Sequence, residues 1–402
     1  MTWRIALLLS VLALLPFGRA SELPVLLGAL IGLADLWRQR ATLRDDPIFR
    51  LILLCFLAYW VPELVSALDS VAPSKSWSEV ALDLRYAPFF WFARESLRTP
   101  DAGKVALGIA ATLTGVLLLD ALVQAAFGHS LGGPLQADRL SGLFGENLKL
   151  GPVLAALAPL LILPVQTRFG RAAAAMVWLL LAVAILLAGA RAGWISFALV
   201  SLLLLRHAVA SRRAFLLSLL GLGLLGALSA TTLYQVSGAF AERVNRTLSA
   251  FEGSESAIDH ALAFRLPIWR AAWHMSLDHP VNGVGVRAFR YAYPPYAEAD
   301  DRWMTDGDGI GAFHAHQLVL ELSSETGLVG VLFWLFATVT LWRTYRRQQG
   351  EDRRAARPYV YALVSMLFPL NTHFAVYSSF WGTLMMLMLA MWLATLNRTP
   401  KA

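Results

Sequence analysis

The sequence predicts an all-α protein that crosses a membrane many times. Hydrophobic residues make up 57% of the 402 residues and charged residues only 15%, and the mean hydropathy is +0.56. A soluble domain typically has about a quarter charged residues. Long apolar runs recur along the whole chain, and a helix needs about 20 mostly apolar residues to cross a bilayer. We therefore predict a polytopic helical bundle.

Twelve apolar runs are candidates for transmembrane helices. They cover residues 3–18, 23–37, 48–66, 80–96, 104–126, 148–165, 172–189, 194–206, 214–233, 315–342, 359–373 and 379–396. The first run could serve as the core of a signal peptide, but no convincing small-residue cleavage pattern follows it. Another apolar run begins at Leu23. We therefore interpret the first run as a retained helix.

The loops between these runs differ in their content of Lys and Arg. One side of the predicted bundle has Arg38, Arg40, Arg44, Arg94, Arg98, Lys104, Arg168, Arg171, Arg206, Arg212, Arg213, Arg343, Arg346, Arg347, Arg353, Arg354 and Arg357, with Arg4, Arg398 and Lys401 near the termini. The short loops of the other side have Arg19, Lys75, Arg139, Lys149 and Arg191. Cytoplasmic loops are enriched in Lys and Arg, so both termini are predicted to be cytoplasmic. The net charge of +7 is then a sign of topology and indicates no nucleic-acid partner.

Residues 233–314 contain no apolar run and lie on the external side in this topology. A connection this long is usually functional or separately folded. Its letters ALAFRLPIWRAAWHMSL have the helical spacing of an amphipathic helix. The apolar stripe consists of Leu262, Leu266, Trp269, Trp273 and Leu277. We predict one membrane domain over 1–402 with a partly helical insertion between the ninth and tenth helices.

The second half of this insertion allows two interpretations. The letters DHPVNGVGVRAF contain three positions that favour a turn, Pro280, Gly283 and Gly285. An irregular segment rich in aromatic and acidic residues follows. This segment is either a lid at the membrane interface or a surface that binds substrate.

Polar residues occur at several external ends of the predicted helices. His314 and His316 precede the tenth helix, and Arg191 lies in a turn between Gly189 and Gly193. Further arginines follow in the insertion: Arg265, Arg270, Arg287 and Arg290. The structural alternatives are interfacial histidines and arginines that extend to lipid headgroups. Polar groups near hydrocarbon are nevertheless costly and often functional, and guanidinium groups suit phosphate. Together they suggest a general base beside a diphosphate.

Other chemistry has little support in the sequence. Cys55 is the single cysteine, which excludes an intramolecular disulfide and a cysteine metal site. No glycine-rich phosphate loop lies on the cytoplasmic side, and no carboxylates have metal-ligand spacing. We expect no metal and no other cofactor.

Three sequence elements resemble the O-antigen ligase and polymerase superfamily. The letters AHQLVLELSSETGLVG match a signature of histidine, amide residue, spacer and Gly-x-x-Gly, which places His316, Gln317, Gly327 and Gly330. GARAGW resembles the arginine and glycine turn of the family, and FRLPIWRAAWHMSLDHPVNGVGVRAF resembles its Arg, Trp, Pro and Gly-x-Gly segment. Gln317 stands where asparagine is commoner, and Ala190 stands where a hydroxyl residue is frequent. Neither departure removes a group that the chemistry needs.

The resemblance implies a bacterial inner-membrane glycosyltransferase with a GT-C-like helical bundle and a periplasmic active site. The donor is a polysaccharide on undecaprenyl diphosphate. For a ligase, the acceptor is a sugar hydroxyl of the lipid A core, and the product is complete lipopolysaccharide. No nucleotide sugar, ATP or metal is required, and the expected partners are these two substrates and membrane lipids, with no nucleic acid.

The resemblance also implies residue roles. His316 is the predicted general base, while Arg191 and Arg265 stabilise the diphosphate leaving group in an inverting, one-step transfer. His314 is the competing base. The further predicted substrate contacts are Arg287, Arg290, Gln317, Arg85 and Lys149. For Arg85, an ion pair with Asp83 is the structural alternative.

Two other functions stay open at this point. An O-antigen polymerase or a protein O-oligosaccharyltransferase of the same superfamily would use the same base and arginines with another acceptor. A transporter or lipid flippase belongs to a different class. It would also have many transmembrane helices, but the sequence has no obvious internal repeat of the kind that transporters show.

Overall fold

The computed structural model describes residues 2–136, 139–209, 211–299, 301–305 and 310–396, so predictions for Arg398 and Lys401 lie outside the described residues. The α-helices are α1 Thr2–Ala13, α2 Glu22–Gln39, α3 Pro47–Ala67, α4 Pro73–Asp83, α5 Tyr86–Ser96, α6 Pro100–Phe127, α7 Leu150–Leu187, α8 Arg191–Ala208, α9 Arg212–Val236, α10 Gly238–Leu248, α11 Glu255–Ala261, α12 Leu266–Asp278, α13 Phe289–Ala292, α14 Arg302–Thr305, α15 Leu318–Arg347, α16 Gly350–Leu367 and α17 Ser379–Leu393. Short 3-10 helices cover Leu15–Ser21, Leu43–Asp45, Gly142–Phe144, Ser249–Glu252 and Pro294–Tyr296. Two short strands, β1 His129–Ser130 and β2 Gly133–Pro134, pair antiparallel with His129 opposite Pro134.

The all-helical class of the fold is confirmed. Six helical stretches in the described part of the chain have the length and apolar character to cross a membrane: Leu15–Gln39, α3, α6, α7, α9 and α15. Helices α1 and α17 are apolar but shorter. The number of twelve transmembrane helices and the GT-C-like arrangement stay predictions.

Several predicted helix boundaries differ from the observed ones. The runs 148–165 and 172–189 lie on either side of a kink at Gly170, where φ is +88° and ψ is −178°, within α7, so the predicted break between them is confirmed. The run 80–96 is divided between α4 and α5. These differences arise because hydropathy reports the apolar character of a segment but not where its backbone bends.

The chain forms two compact units. Unit 1 comprises residues 1–103, 264–356 and 367–402, and unit 2 comprises residues 104–263 and 357–366. In unit 1, α2 packs on α5, and α15 packs on α3 and α12. Glycine permits the first contact, since a Cβ atom on Gly32 would lie 1.9 Å from the Pro88 carbonyl oxygen. Helix α15 begins at Leu318, directly after residues 314–317, which contain both histidines and are called the histidine segment here.

In unit 2, α7 packs on α8, and both contact α9. The start of α8 lies close to the start of α7, because a Cβ atom on Gly193 would be only 3.0 Å from the Gly151 carbonyl carbon. No residue of α9 is buried. An apolar helix without buried residues is typical of a surface that faces lipid.

The insertion is partly helical, as predicted, with α10 to α14 following the end of α9 at Val236. The predicted apolar stripe of α12 was wrong in part, because Trp273 and Leu277 are 57% and 56% exposed. The buried face instead contains Ile268, Ala271, Ala272 and Met275. Two of these four buried residues are alanines, and α12 packs on α15.

Candidate functional site

The histidine segment is fixed at the start of α15 in unit 1. His316 has φ of +51°, a left-handed conformation that is uncommon for a residue with a side chain. Its ring centroid lies 3.9 Å from that of His314 and 6.4 Å from that of Trp303. The imidazole rings of the two predicted candidates for the general base therefore lie side by side.

The charge state of His316 follows from its surroundings. Burial lowers the pKa of His316 well below its ordinary value of 6.5, and electrostatic interactions with His314, Arg265 and His373 lower it further. The Nδ1 atom of His316 is buried and has no hydrogen-bond partner among the described residues. The imidazole is therefore neutral near pH 7, which is the form that accepts a proton.

Gln317 is the N-cap of α15. Its side-chain oxygen accepts a hydrogen bond of 2.6 Å from the Leu320 backbone N–H, and its Nε2 donates to the Pro369 carbonyl over 2.7 Å. Both ends of the amide thus have partners within the protein. The predicted substrate contact of Gln317 stays a prediction, beside a structural role that the sequence did not indicate.

Arg265 follows a strained turn. Ala263 and Phe264 both have positive φ angles, of +61° and +59°, and such a conformation costs about 1–3 kcal/mol for each residue that is not glycine. The turn is supported by Trp303, whose Nε1 donates to the Phe264 carbonyl over 2.6 Å. The turn directs Arg265 into the region where its charge acts on His316. Two of the three predicted catalytic residues are therefore brought together in unit 1.

A backbone junction joins the insertion to α15 around Gly327, further along the helix. Helix α15 is interrupted at Gly327, where φ is +62°. The segment 280–285 occupies the interruption through four backbone hydrogen bonds. These are Leu328 N to Pro280 O (2.8 Å), Val329 N to Val281 O (3.1 Å), Val284 N to Ser324 O (2.8 Å) and Gly285 N to Glu325 O (3.1 Å). The insertion thereby satisfies polar groups that the broken helix would otherwise leave unpaired.

This junction, formed by residues 280–285 and 324–329, explains the glycines of the two motifs. A Cβ atom on Gly283 would lie 2.4 Å from the Glu325 carbonyl carbon, and one on Gly327 would lie 2.4 Å from the Val281 carbonyl carbon. A Cβ atom on Gly285 would lie 2.1 Å from Ser70 Oγ. Only glycine fits where two backbones approach this closely.

Arg287 and Arg290 follow the junction. The backbone N–H of Arg287 donates to Glu325 Oε2 over 2.6 Å, and the Arg287 Nε atom is buried without a partner among the described residues. The guanidinium of Arg290 lies 4.2 Å from the ring centroid of Phe313. Their predicted contacts with substrate stay predictions.

Arg85 lies in the interior of unit 1. Its guanidinium is 3.4 Å from Asp83 and 3.5 Å from Glu22, and it donates to the Tyr86 hydroxyl over 3.2 Å. The side chain is 4% exposed. This geometry favours the structural ion pair over a substrate contact for Arg85.

Arg191 begins α8 in unit 2, directly after the turn at Gly189, whose φ is +71°. Its Nη1 donates to Thr247 Oγ1 over 3.2 Å. Burial lowers the pKa of Arg191, and the positive charges of Arg246 and Arg139 lower it further. Several guanidinium groups therefore lie near one another at this turn.

Two members of this group were missed by sequence reasoning. Arg243 and Arg246 lie on α10, and the guanidinium of Arg243 is within about 3 Å of where a Cβ atom of Gly189 would be. Their spacing of three residues places them on one face of a helix, which was the available signal. Lys149, the residue before α7, belongs to the same unit, and burial lowers its pKa.

Metal-binding groups are not part of this arrangement. Within the described ranges, no group of three or more His, Cys, Asp or Glu side chains is placed to hold a metal ion.

The fold and these residues define a helical membrane protein with a neutral histidine at a helix start and clustered arginines. Residues 175–335 match the family model described as O-antigen ligase. The matched range contains Arg191, Arg265 and His316, and the resemblance to this family is confirmed. The match supports an enzyme with a ligase- or polymerase-type function of that superfamily. A search of curated proteins gave no match.

Proposed function

We propose that the protein is an O-antigen ligase. It transfers a polysaccharide from undecaprenyl diphosphate to a sugar hydroxyl of the lipid A core, at the periplasmic face of the bacterial inner membrane. The proposal is carried by the match of residues 175–335 to the O-antigen ligase family model, a range that contains Arg191, Arg265 and His316. Both termini are proposed to be cytoplasmic, and residues 233–314 form a periplasmic insertion in a single membrane domain.

The proposed role of His316 is general-base catalysis. A base must be unprotonated at the working pH, and general bases typically contribute about 100- to 10,000-fold to the rate. The imidazole of His316 is proposed to accept the proton of the acceptor hydroxyl, because burial keeps the ring neutral near pH 7. As that proton leaves, the hydroxyl oxygen bonds to the anomeric carbon and the bond to the diphosphate oxygen breaks, with inversion.

The leaving group is a lipid diphosphate, on which negative charge develops as its bond to the sugar breaks. Arg191 and Arg265 are the proposed electrostatic stabilisers of this charge. Donors that are held in place before the reaction, and are partly removed from water, stabilise such charge better than water does. No metal ion is required in this scheme.

An apolar cavity in unit 2 supports a lipid-linked substrate. The cavity has a volume of about 300 Å³ and lies among α7, α8 and α9. Its lining includes Trp178, Trp194, Phe197 and Leu219. These side chains suit a hydrocarbon chain and offer little to a free sugar.

The test is transfer by the purified protein. Glycan-loaded undecaprenyl diphosphate and lipid A core are mixed with the protein in the presence of EDTA and without nucleotide. Extension of the lipid A core by the glycan is the expected result. Lengthening of the lipid-linked glycan with no transfer to the core would replace the ligase by a polymerase. Flipping of lipid by the protein in liposomes without glycan transfer would contradict both enzymes.

A further inference from the structure

We propose that one side of α12 lies in a leaflet of the membrane and contacts the acyl chains of lipids. The contact surface, called the α12 stripe here, is defined as Trp273, Leu277 and Val281. The first two residues lie on α12, and Val281 follows the end of the helix by three residues. Helix α12 is then an interfacial helix of the insertion, which lies in the membrane surface without crossing the bilayer.

The α12 stripe consists of large apolar side chains that the protein leaves uncovered. Trp273, Leu277 and Val281 are each more than half exposed. Residues four apart in a helix lie on one face, and Val281 continues the spacing of Trp273 and Leu277. Removal of such apolar surface from water is favourable. A contiguous exposed apolar surface is typical of a site that binds a protein or a membrane.

Helix α12 has three faces of different character. The face towards the interior consists of Ile268, Ala271, Ala272 and Met275. The α12 stripe occupies a second, exposed face. A third face lies one residue further along at each turn, and so is rotated by about 100° from the stripe. This third face is polar and contains Arg270, His274 and Asp278. Exposed apolar and polar faces side by side are what a helix in the membrane surface requires.

The α12 stripe continues into the exposed surface of α15. The backbone N–H groups of Leu328 and Val329 donate to the carbonyls of Pro280 and Val281 over 2.8 and 3.1 Å. Leu328 is exposed and begins a row of exposed apolar side chains along α15, which contains Leu332, Leu335, Phe336 and Val339. Helix α15 has the length and apolar character to cross a membrane. The stripe therefore extends a surface that faces lipid.

The position of α12 on α15 is fixed. The hydroxyl oxygens of Ser276 and Ser323 are 2.9 Å apart, which is within hydrogen-bond distance. The backbone hydrogen bonds of the junction fix the chain directly after α12. Because α12 is held from two places, the stripe cannot rotate towards the interior. It has to be covered from outside the protein.

Lipid is the partner that these observations favour. Acyl chains cover the stripe and the apolar row of α15 as one continuous surface, whereas a second copy of the chain would have to match both. Tryptophan is enriched where a membrane meets water, and Trp273 stands beside the polar face of α12. On that polar face, Arg270 forms an ion pair of 2.9 Å with Glu298. Both side chains are more than a third exposed, as expected for a face towards headgroups and water.

Contact with lipid also sets the depth of a residue in the candidate site. Arg265 directly precedes α12 and is its N-cap residue. An interfacial α12 holds the backbone of Arg265 near the level of the headgroups, which is where the phosphates of a lipid-linked donor lie. This consequence rests on the proposed function, whereas the contact between α12 and lipid does not.

The test places a fluorescent label in the α12 stripe of the full-length protein, in phosphatidylcholine nanodiscs. Cys55→Ala removes the single native thiol, and Leu277→Cys then carries the dye NBD. His274→Cys in the same background is the matched control, because residue 274 is exposed on the polar face. Quenching is measured with doxyl groups on the acyl chains and with iodide in the water. Compared with position 274, we expect about threefold stronger doxyl quenching and weaker iodide quenching at position 277, as for a side chain among acyl chains.

Two results would overturn the proposal. Equal quenching by iodide at positions 274 and 277 would show that the stripe faces water. Protection of position 277 from iodide without quenching by doxyl lipids would show that protein covers the stripe. A disulfide crosslink between two copies of the Leu277→Cys variant would then identify the cover as a second copy of the chain.

A second position keeps the test valid if Leu277→Cys fails to fold. Val281→Cys lies outside the helix, and its side chain is exposed, so the label there replaces no packed group. We expect the same pattern as at position 277. Quenching of this label by iodide but not by doxyl lipids would contradict the continuity of the stripe with α15.

The failure of this proposal can be distinguished from the failure of the proposed function, because quenching requires no transfer. If the label at position 277 shows no doxyl quenching while the wild type extends the lipid A core, the membrane contact is wrong and the ligase stands. If doxyl quenching is present but the wild type shows no transfer, the membrane contact stands and the ligase is wrong.

Discussion

The histidine segment of unit 1 and the arginine turn of unit 2 are built by different means. The junction of residues 280–285 with 324–329 consists of backbone hydrogen bonds, and glycines let the two chain segments touch there. The arginine turn depends on side-chain contacts to α10, a helix whose one buried residue is Phe240. A general base has to be held at one position, and the hydrogen bonds of Gln317 to Leu320 and Pro369 fix the chain directly after His316. A diphosphate is bound mainly through charge, which tolerates looser support.

The sharpest test of this comparison is the substitution His316→Ala. It removes the proposed base, and we expect transfer to the lipid A core to fall by about 100- to 10,000-fold, the usual contribution of a general base. His314→Ala is the matched control and should retain most of the activity. The measurement is the initial rate of core extension by each purified variant. Near-normal transfer by His316→Ala together with a loss in His314→Ala would assign the base to His314.

The junction itself can be broken by Gly327→Ala. The new Cβ atom would lie 2.4 Å from the Val281 carbonyl carbon at a positive φ angle, so strain and overpacking add. We expect the free energy of unfolding to fall by about 3 kcal/mol, since each effect alone costs about 1–3 kcal/mol. The measurement is thermal unfolding in detergent.

Gly221→Ala on α9 is the control for this substitution, because no atom lies within 4 Å of the added Cβ. It should leave the melting temperature unchanged or raise it slightly, as alanine favours helix more than glycine does. Equal destabilisation by the two substitutions would show that the junction does not depend on glycine at position 327.

Hydropathy predicted most of the helices because each is a local property of the chain. The glycine motifs also indicated where the backbone is unusual, but not what approaches it. Gly283 contacts Glu325, and no local pattern reports a pairing between positions so far apart. The prediction of the buried face of α12 was wrong in part for the same reason, since packing on α15 determines which side chains of α12 are buried.

The sequence also named His316 and Arg265 as site candidates, and their catalytic roles stay predictions; in unit 1 the charge of Arg265 lowers the pKa of His316. It gave no reason to connect Arg243 with Gly189, because the connection depends on how α10 turns back after α9. From the sequence alone, a glycine at position 189 indicates only that another part of the chain approaches its backbone closely. Which residue does so is a property of the tertiary structure.

The pH dependence of transfer sharpens the proposed role of burial at His316. Because the folded protein lowers the pKa of this histidine below 6.5, the neutral base persists to lower pH than in a free imidazole. We expect the acid limb of kcat/KM to lie below pH 6.5. An acid limb of kcat/KM at or above pH 6.5 would contradict the proposed role of burial at His316. The control is His274→Ala, at an exposed histidine, which should leave the acid limb where it is in the wild type.

The lowered pKa of His316 also makes the stability of the protein depend on pH. A histidine that the fold keeps neutral stabilises the protein above its unfolded pKa of about 6.5. This contribution is lost as the pH falls from about 6.5 towards the lowered pKa of the folded state. The substitution His316→Gln should therefore flatten the decrease in melting temperature on the acid side. An unchanged decrease would show that other groups cause it.

The smallest expected effect separates two roles of Gln317. Gln317 is the N-cap of α15 and also bonds to Pro369. The substitution Gln317→Ala should therefore cost about 1 kcal/mol of stability, as loss of a helix cap typically does. Ser211→Ala removes the N-cap of α9 and is the matched control for the loss of a helix cap elsewhere in the chain. If Gln317 instead contacts substrate, the KM for donor or acceptor will rise while the melting temperature stays that of the wild type. A lowered melting temperature at unchanged KM would assign Gln317 to the support of the histidine segment, so that the amide of the motif holds the base in place without touching the glycan.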